Sequence, residues 1–308
     1  MPNAEKSPSS HHNSTQDIAH SSFTTIRKHV QHLVLLQLAM FCVSTSGPLG
    51  RYIALAPPLA IWWRALFAAF FLACFCWWRG YSFQLKGRRQ IVAVVGTGVL
   101  MAVHWITFFY ALQLSNVAVG MLSLMTYPAI TALLEPVLLN TKYRPLQLYL
   151  GLLILLGVSF LVPDLDVTSN TTQGVLCGIF SASCYALRNI ICKMQVGQLR
   201  PSILMFYQVV ATVMLTLPAL GYYTTQTVTD YLLPLLALGL ITTAIGHSLF
   251  VRSFQYFSVS TASILSSVQP IYGILLAILF LNEFPDTRSI LGGICILLTV
   301  FIASRRST

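Results

Sequence analysis

Long apolar runs follow one another along most of the chain, separated by short polar breaks. An α-helix needs about 20 mostly apolar residues to cross the roughly 30 Å hydrocarbon core of a membrane. Asn, Pro and Ser residues break the apolar pattern at the intervals that such helices require. The pattern predicts ten membrane-spanning helices, at residues 31–55, 58–78, 90–113, 116–139, 145–162, 173–195, 201–221, 231–256, 258–281 and 288–304.

Composition also indicates a chain embedded in lipid. Of the 308 residues, 56% are hydrophobic and only 8% are charged, and the mean hydropathy is +0.74. A soluble domain carries roughly 25% charged residues. The net charge of +10 does not predict nucleic-acid binding, because the basic residues are scattered between apolar runs instead of clustering on a solvated face. We expect contact with the lipid bilayer and none with nucleic acid.

The first 30 residues are polar, unlike the rest of the chain. The stretch "SPSSHHNSTQ" lacks the apolar core of a cleavable signal peptide, and we predict that residues 1–30 form a disordered cytoplasmic tail. All seven cysteines fall inside apolar runs, and no group of His, Cys and carboxylate residues has metal-ligand spacing. The sequence therefore predicts no metal and no cofactor.

Basic residues predict the orientation of the helices, because Lys and Arg are enriched in short cytoplasmic loops. With the amino terminus inside, all of the 18 lysines and arginines except Arg51, Arg64 and Arg288 fall on the inner side. The even number of helices then returns the carboxy terminus to the same side. We predict a multi-pass protein of the plasma (inner) membrane with both termini in the cytoplasm.

The chain contains an internal repeat. The phrase "LLNTKYRPLQLYLGLLILL" at 138–156 returns at 280–298 as "FLNEFPDTRSILGGICILL", with the charge of its hinge reversed. Each copy holds five helices, an odd number, so the second copy must enter the bilayer from the opposite side. The sequence predicts an all-α membrane protein of ten transmembrane helices in two inverted five-helix repeats, at residues 31–163 and 173–304. Shifting 108–156 onto 250–298 gives the identities Gln113/Gln255, Pro128/Pro270, Asn140/Asn282 and Gly151/Gly293.

Inverted repeats are the architecture of many secondary transporters, whose substrate site lies near the bilayer midplane between the halves. The repeat therefore favours a carrier that works by alternating access. A membrane channel and a non-transporting membrane scaffold are the alternatives. An enzyme is not predicted, because the sequence shows no clustered nucleophile, metal set or acid pair.

Two histidines, His104 and His247, lie near the middle of the third helix of each half. Ionisable residues at that depth are costly and usually face the bundle interior or a cavity. A neutral histidine bonded to a neighbouring helix, a cavity-lining histidine and a proton relay all fit this position. Under the repeat shift, Trp105 aligns with His247.

Acidic residues are scarce within the predicted helices. Glu135 is the one carboxylate inside a predicted span, near the end of its helix, where we expect it to pair with Lys142 or Arg144. A cation pump or a cation-for-proton antiporter usually needs a carboxylate at the midplane. Cation transport is therefore disfavoured.

Several basic residues lie inside the predicted helices without an acid partner in the sequence nearby. Arg51 and Arg64 lie toward the outer ends of the first and second helices, and Arg188 and Lys193 lie toward the inner end of the sixth. If these side chains face the interior, they suit carboxylate or phosphate groups. Snorkelling to the interface is the alternative for the inner pair.

Aromatic and amide side chains in repeat-matched segments could form the walls and orienting groups of a pocket, with helix packing as the alternative. Pro128 and Pro270 are expected to kink the fourth and ninth helices around that cavity. The candidate substrate-binding residues are His104, Trp105, His247, Arg51, Arg64, Arg188, Lys193, Tyr127, Tyr207, Gln208 and Gln269.

Two long phrases carry a family resemblance. "HWITFFYALQLSNVAVGMLSLMTYPAITALLEPVLLN" and "GHSLFVRSFQYFSVSTASILSSVQPIYGILLAILFLNEFPDTRSILGGICILL" resemble the EamA-type permeases of the drug/metabolite transporter superfamily. The resemblance covers nearly everything from 32 to 304 and implies a pocket between two inverted five-helix halves.

The resemblance further implies export of a small metabolite, such as an amino acid or another zwitterion or anion. The family's hinge after the fourth or ninth helix often reads Gly-Glu, whereas this chain has Asn140-Thr141 and Asn282-Glu283. The resemblance therefore does not imply a role in coupling for that glutamate in this chain. The expected partners are a small-molecule metabolite and the bilayer, and homodimerisation is left open.

Overall fold

The computed structural model describes residues 11–161 and 166–306, and this part of the chain is built from helices joined by short turns. In chain order the α-helices are α1 (His11–Ser44), α2 (Ser46–Tyr52), α3 (Pro57–Trp78), α4 (Gly87–Leu114), α5 (Val117–Leu124), α6 (Tyr127–Leu139), α7 (Pro145–Ser159), α8 (Asn170–Gln195), α9 (Pro201–Thr216), α10 (Ala219–Tyr222), α11 (Leu232–Ala237), α12 (Ser248–Ser253), α13 (Val259–Leu265), α14 (Gln269–Leu281) and α15 (Thr287–Arg306). Between them lie the 3₁₀ turns Thr229–Tyr231 and Ser266–Val268 and the π-helix Leu238–His247.

Most of these helices are long and apolar enough to cross a membrane. Within the described residues there are eight such stretches, and two shorter apolar helices, Pro145–Ser159 and Thr287–Thr299, lie where the fifth and tenth helices are predicted. The eight longer stretches are His29–Tyr52, Pro57–Trp78, Gly87–Leu114, Val117–Leu139, Asn170–Gln195, Pro201–Tyr222, Thr229–Ser253 and Val259–Leu281.

α1 begins within the segment for which the sequence predicts a disordered tail. Residues 11–30 belong to α1, whereas residues 1–10 lie outside the described part of the chain. Extending an existing helix costs far less than nucleating one, so the apolar half of α1 can propagate helix into its polar half. The disordered cytoplasmic tail at 1–30 stays a prediction.

The fourth and ninth predicted helices are each interrupted in front of a proline. α5 ends at Leu124 and α6 resumes at Tyr127, with Pro128 in its first turn; Pro270 stands likewise in the first turn of α14, after the 3₁₀ turn. Proline is tolerated in a first turn because the N–H that it lacks has no intrahelical acceptor there. Each proline therefore begins a new helical segment at the place where a kink is predicted.

The repeated asparagines end these same helices. Asn140 and Asn282 adopt the left-handed conformation, with φ of 52° and 55°, directly after α6 and α14. Asparagine tolerates this conformation better than other non-glycine residues. The recurrence of Asn in both copies of the hinge thus has a backbone cause.

Packing between the halves is reciprocal. The third helix of the first half, α4, packs against α8, the first helix of the second half, and the π-helix within the third helix of the second half packs against α1. In addition, α3 packs against α9, and α7 packs against α15. The buried core therefore lies at the junction of the two halves.

Two ends of the bundle differ in charge and are named accordingly. We call the end that holds Arg79, Lys142 and Arg200 the basic end. We call the opposite end, which holds Glu283 and Asp286, the acidic end.

Candidate functional site

Arg64 of α3 is completely buried at the junction of the halves. Its guanidinium donates from Nε to Thr243 Oγ1 at 2.9 Å and from Nη1 to Ser46 Oγ at 3.0 Å, while Nη2 lies 3.4 Å from His247 Nε2. The guanidinium carbon also stands 4.0 Å from the centroid of the Trp105 ring, in cation–π geometry. Arg64 therefore contacts both halves.

Arg188 of α8 is the second fully buried arginine. Its Nε donates to Gln208 Oε1 at 3.0 Å, and Nη2 also bonds to this oxygen. Nη1 donates to Asn189 Oδ1 at 2.9 Å, and Nη2 lies 2.8 Å from the thioether sulfur of Met205. Every one of these groups is neutral.

In the repeat, each buried arginine aligns with a residue that accepts a hydrogen bond from the other arginine. Under the repeat shift, Arg188 corresponds to Ser46. A shift that is two positions longer aligns Trp62-Trp63-Arg64 with Phe206-Tyr207-Gln208 and so pairs Arg64 with Gln208. In each half one arginine thus bonds to a neutral residue on the adjacent helix of that half. The pseudo-symmetry places a positive charge on each side of the junction.

Among residues 11–161 and 166–306, neither buried arginine has an acid partner. In the described residues the ion pair found is that of Arg51 with Glu283, and the bonds of Arg64 and Arg188 all go to neutral groups. A buried charge without a counter-charge is unfavourable by several kcal/mol. Groups held at such a cost are typical of sites where a charged ligand completes the balance.

A small enclosed cavity lies beside Arg64. Its volume of about 10 Å³ is roughly that of one water molecule, and each lining side chain is at most 4% exposed. The lining residues are Val43, Ser46, His104, Trp105, Phe108, Leu124, Tyr185, His247 and Gln269. The site is therefore closed to both ends, and a metabolite fits only after the helices separate.

Several donors at this cavity lack a hydrogen-bond partner. They are Trp105 Nε1, Tyr185 Oη and His247 Nδ1, each buried and unpartnered among the described residues. Buried polar groups are normally satisfied, so unsatisfied ones at a cavity are candidates for ligand contacts. Together with Arg64, which contacts the lining residues Ser46, His247 and Trp105, they form a surface rich in donors.

Tyr185 is a member of this site that the sequence did not single out. Its ring stacks on His104 at a centroid distance of 4.3 Å and meets the Tyr127 ring edge-on at 5.1 Å. His104 is in turn held by Ser181, whose Oγ lies 2.7 Å from His104 Nδ1. The signal that could have identified Tyr185 is its position one helical turn before Arg188, on the same face of α8.

Other candidates also lie at this junction. Tyr127 is fully buried and donates from its hydroxyl to the carbonyl of Ser263 in the other half at 3.3 Å, and Gln269 lines the cavity. Gln208 holds Arg188. Tyr207 lies apart, with its hydroxyl bonded to the carbonyl of Phe83.

Arg51 does not face the central cavity, and the expectation that it lacks an acid partner is wrong. At the acidic end its Nε donates to Glu283 Oε1 at 2.7 Å. Glu283 Oε2 accepts a bond of 3.1 Å from the backbone N–H of Val117, the first residue of α5. We call the contacts of Arg51, Glu283 and Val117 the acidic-end latch.

A similar arrangement closes the basic end. Glu135 of α6 accepts from the backbone N–H groups of Val259 at 2.8 Å and Ser260 at 2.7 Å, and from the Ser260 hydroxyl. The expected pairing of Glu135 with Lys142 or Arg144 is therefore wrong, because the unsatisfied N–H groups and dipole at the start of α13 attract the carboxylate. We call the contacts of Glu135, Val259 and Ser260 the basic-end latch.

The two latches join opposite halves in a reciprocal way. A glutamate from the end of the fourth helix binds the start of the ninth, and a glutamate just after the ninth binds the start of the fourth. Glu135 and Glu283 are not equivalent under the repeat shift, so the same contact is built from different positions.

Comparison with known proteins identifies the family of the chain. The model of the EamA-like transporter family matches the chain twice, over residues 32–162 and 172–305. The chain belongs to the EamA-like transporter family. It is thus a multi-pass membrane protein of a family of transporters, as the resemblance in its sequence indicated.

Individual relatives of this EamA-like protein are distant. It is 20% identical over 277 residues to the "Pseudopaline exporter CntI" of two Pseudomonas aeruginosa strains, UCBPP-PA14 and PAO1, and the match covers 89% of this chain and 95% of each exporter. A crystal structure of another protein superposes with a TM-score of 0.71, at 18% identity, over 91% of this chain and 99% of that one. The superposition supports the fold alone.

Proposed function

We propose that this protein is a secondary transporter that exports a small organic anion by alternating access. The observation that carries the proposal is the burial of Arg64 and Arg188 at the junction of the halves, with no acid partner for either in the described part of the chain. An anionic group supplies the missing charge, and guanidinium binds carboxylate or phosphate with directed hydrogen bonds.

The chemistry of the cavity limits the substrate class. Its lining residues include Trp105, Tyr185 and His247, whose unpartnered groups can hydrogen-bond to an anion, and none of the lining residues is a carboxylate that could hold an ammonium group. The aromatic rings offer flat apolar contacts to the body of the substrate. A metabolite with one or more carboxylate or phosphate groups fits better than an amine.

The latches support alternating access. Both are formed in this structure, and the cavity between them has room for about one water molecule. Because each latch joins the two halves, rocking one half against the other can open one latch while the other stays closed.

We further propose ten spanning helices in inverted halves, in the plasma membrane with both termini in the cytoplasm, on the basis of the repeat and the distribution of Lys and Arg. The distant likeness to a pseudopaline exporter supports export as the direction.

Transport by purified protein in liposomes tests the proposal. The panel contains labelled dicarboxylates, sugar phosphates, amino acids and amines, each measured against protein-free liposomes. We expect saturable flux of at least one anion and none of the amines. Absence of flux for every anion contradicts the proposal, and flux that rises without saturation favours a channel.

Substitution at the buried arginines makes the test specific to the site. Arg64→Gln and Arg188→Gln are each expected to lower anion flux by a hundredfold or more, because loss of a buried charge-assisted contact costs on the order of 3 kcal/mol. Arg88→Gln is the matched control, since Arg88 is exposed at the start of α4. Unchanged flux in both cavity variants, at equal protein insertion, contradicts the assignment.

A further inference from the structure

A groove at the basic end is separate from the central cavity. It has a volume of about 740 Å³ and lies between α3, the start of α9 and the segment formed by the π-helix and α12. Phe75 and Ile245 line it and are 41% and 43% exposed. The groove is therefore open along the flank of the bundle, where lipid lies.

The mouth of this groove is cationic. Arg79, Arg200 and Arg252 line it, all three are exposed, and no ion pair of theirs is found within residues 11–161 and 166–306. The guanidinium carbons of Arg79 and Arg200 lie 6.0 Å and 4.4 Å from the centroid of the same ring, that of Tyr81. Like charges gathered around one ring repel each other, so an anion between them is favourable.

The rest of the groove is apolar. Phe71 and Leu72 lie about two turns of α3 before Arg79, and Ala244 and Leu249 precede Arg252 on the facing wall. These side chains lead from the charged mouth toward the middle of the bundle. The groove thus has a cationic mouth and apolar walls along which a hydrocarbon chain can lie.

Two further groups suit a phosphate and its ester linkage. The positive end of the α9 dipole lies at the mouth, and Arg200, its N-cap residue, provides no side-chain cap. Ser248 lines the groove, and its hydroxyl oxygen is buried with no hydrogen-bond partner among the described residues. Ser248 stands between the arginines and the apolar wall, where a lipid places its glycerol.

From this arrangement we infer that the groove binds an anionic phospholipid. The phosphate lies among Arg79, Arg200 and Arg252, and one acyl chain follows Phe71 and Ala244. A phosphatidylcholine headgroup adds a trimethylammonium cation, which the three arginines repel. Arginines that only snorkel to the interface also attract anionic lipids, but they need no apolar groove, so the apolar wall is what favours a bound lipid.

Native mass spectrometry of the delipidated full-length protein tests this site. We expect phosphatidylglycerol to bind more tightly than phosphatidylcholine. Each arginine contributes about fivefold, so the variant Arg79→Gln/Arg200→Gln/Arg252→Gln is expected to bind phosphatidylglycerol on the order of a hundredfold more weakly. The matched control is Lys86→Gln/Arg88→Gln/Arg89→Gln, which removes three exposed cations of the same end that do not line the groove.

A second variant separates a lipid from free phosphate. Ala244→Phe fills the apolar part and leaves every arginine in place, so it is expected to weaken phosphatidylglycerol binding, while millimolar inorganic phosphate displaces little lipid from the unmodified protein. The proposal is overturned if both lipids bind equally, if the triple variant behaves like its control, if Ala244→Phe binds phosphatidylglycerol normally, or if inorganic phosphate displaces the lipid. Each measurement is independent of transport, so failure here leaves the proposed transport function standing.

Discussion

Arg51 and Lys193 occupy equivalent positions in the two halves, and each binds the carbonyls that end the third helix of its own half. Arg51 Nη1 donates to the carbonyls of Leu112 at 3.1 Å and Gln113 at 3.0 Å. Lys193 Nζ donates to the carbonyls of Phe254 and Phe257. The last carbonyls of a helix lack intrahelical partners and carry partial negative charge. Helix capping therefore accounts for the positive charge at both positions, and substrate binding is not needed to explain it.

The latches predict that each end can be loosened separately. Glu283→Gln removes the charge that holds Val117, and amide hydrogen exchange at residues 117–120 is expected to rise, because these amides then open more often. Glu135→Gln is expected to do the same at residues 259–262. The effect at each end is expected to be tenfold or more, in line with a loss of about 1.5–3 kcal/mol for a hydrogen bond to a charged group.

Each latch variant is the control for the other. Exchange at the start of α13 should stay unchanged in Glu283→Gln, and exchange at the start of α5 should stay unchanged in Glu135→Gln. If both variants loosen both ends equally, the carboxylates stabilise the fold in general and do not act as separate latches.

The buried arginine of α3 predicts a larger effect on transport than on stability. Arg64→Met removes an uncompensated charge from the core, which favours the folded state by several kcal/mol. It also removes the hydrogen bonds to Thr243 and Ser46, worth about 1.5–3 kcal/mol each, and the cation–π contact with Trp105, worth about 2 kcal/mol. These opposing effects are of similar size, so the temperature of thermal unfolding in detergent is expected to change little, while anion flux is lost. A variant that is both less stable and inactive would show that Arg64 holds the fold together instead of serving a substrate.

The positions of the helices and of the buried arginines follow from the sequence, but the contacts between residues on different helices do not. Apolar runs and the repeated Asn140 and Asn282 predict helix positions and hinges, because length and backbone conformation are local properties. The sequence predicts the wrong partner for Glu135, because its partners are backbone N–H groups, which every residue except proline has and which no residue type marks. Tyr185 was missed because a buried tyrosine in an apolar helix looks like any packing residue until its neighbours on other helices are known.

Close packing of α7 against α15 predicts that substitution by alanine destabilises the protein more at Gly292 than at the adjacent Gly293. A Cβ at Gly292 would overlap the backbone carbonyl of Gly157, and one at Gly157 would lie 2.8 Å from the carbonyl of Gly292. Backbone atoms cannot rotate away, so Gly292→Ala is expected to destabilise the protein by about 1–3 kcal/mol. The control is Gly293→Ala, where a Cβ would meet only a Leu122 methyl group at 4.0 Å. Equal thermal unfolding of the two variants would contradict this contact.

The start of α15 predicts a dependence on acid pH. Asp286 Oδ1 accepts from the backbone N–H of Ser289 at 2.8 Å, and hydrogen bonds from Ser289 hold the pKa of the Asp286 carboxyl below its usual value. A lowered pKa means that the cap stabilises the fold above the carboxyl pKa of the unfolded chain. This stabilisation is lost as the pH falls through the lower pKa of the folded state.

Hydrogen exchange at residues 287–290, corrected for the intrinsic rate at each pH, measures this cap. Protection in the unmodified protein is expected to fall as the pH drops below the ordinary aspartate pKa of about 3.9, whereas in Asp286→Asn it should stay constant, because asparagine caps a helix as well as aspartate but does not titrate. Asp286→Ala is expected to lose about 1 kcal/mol of local stability at neutral pH. A fall in protection of the same size in Asp286→Asn would assign the acid sensitivity to another group.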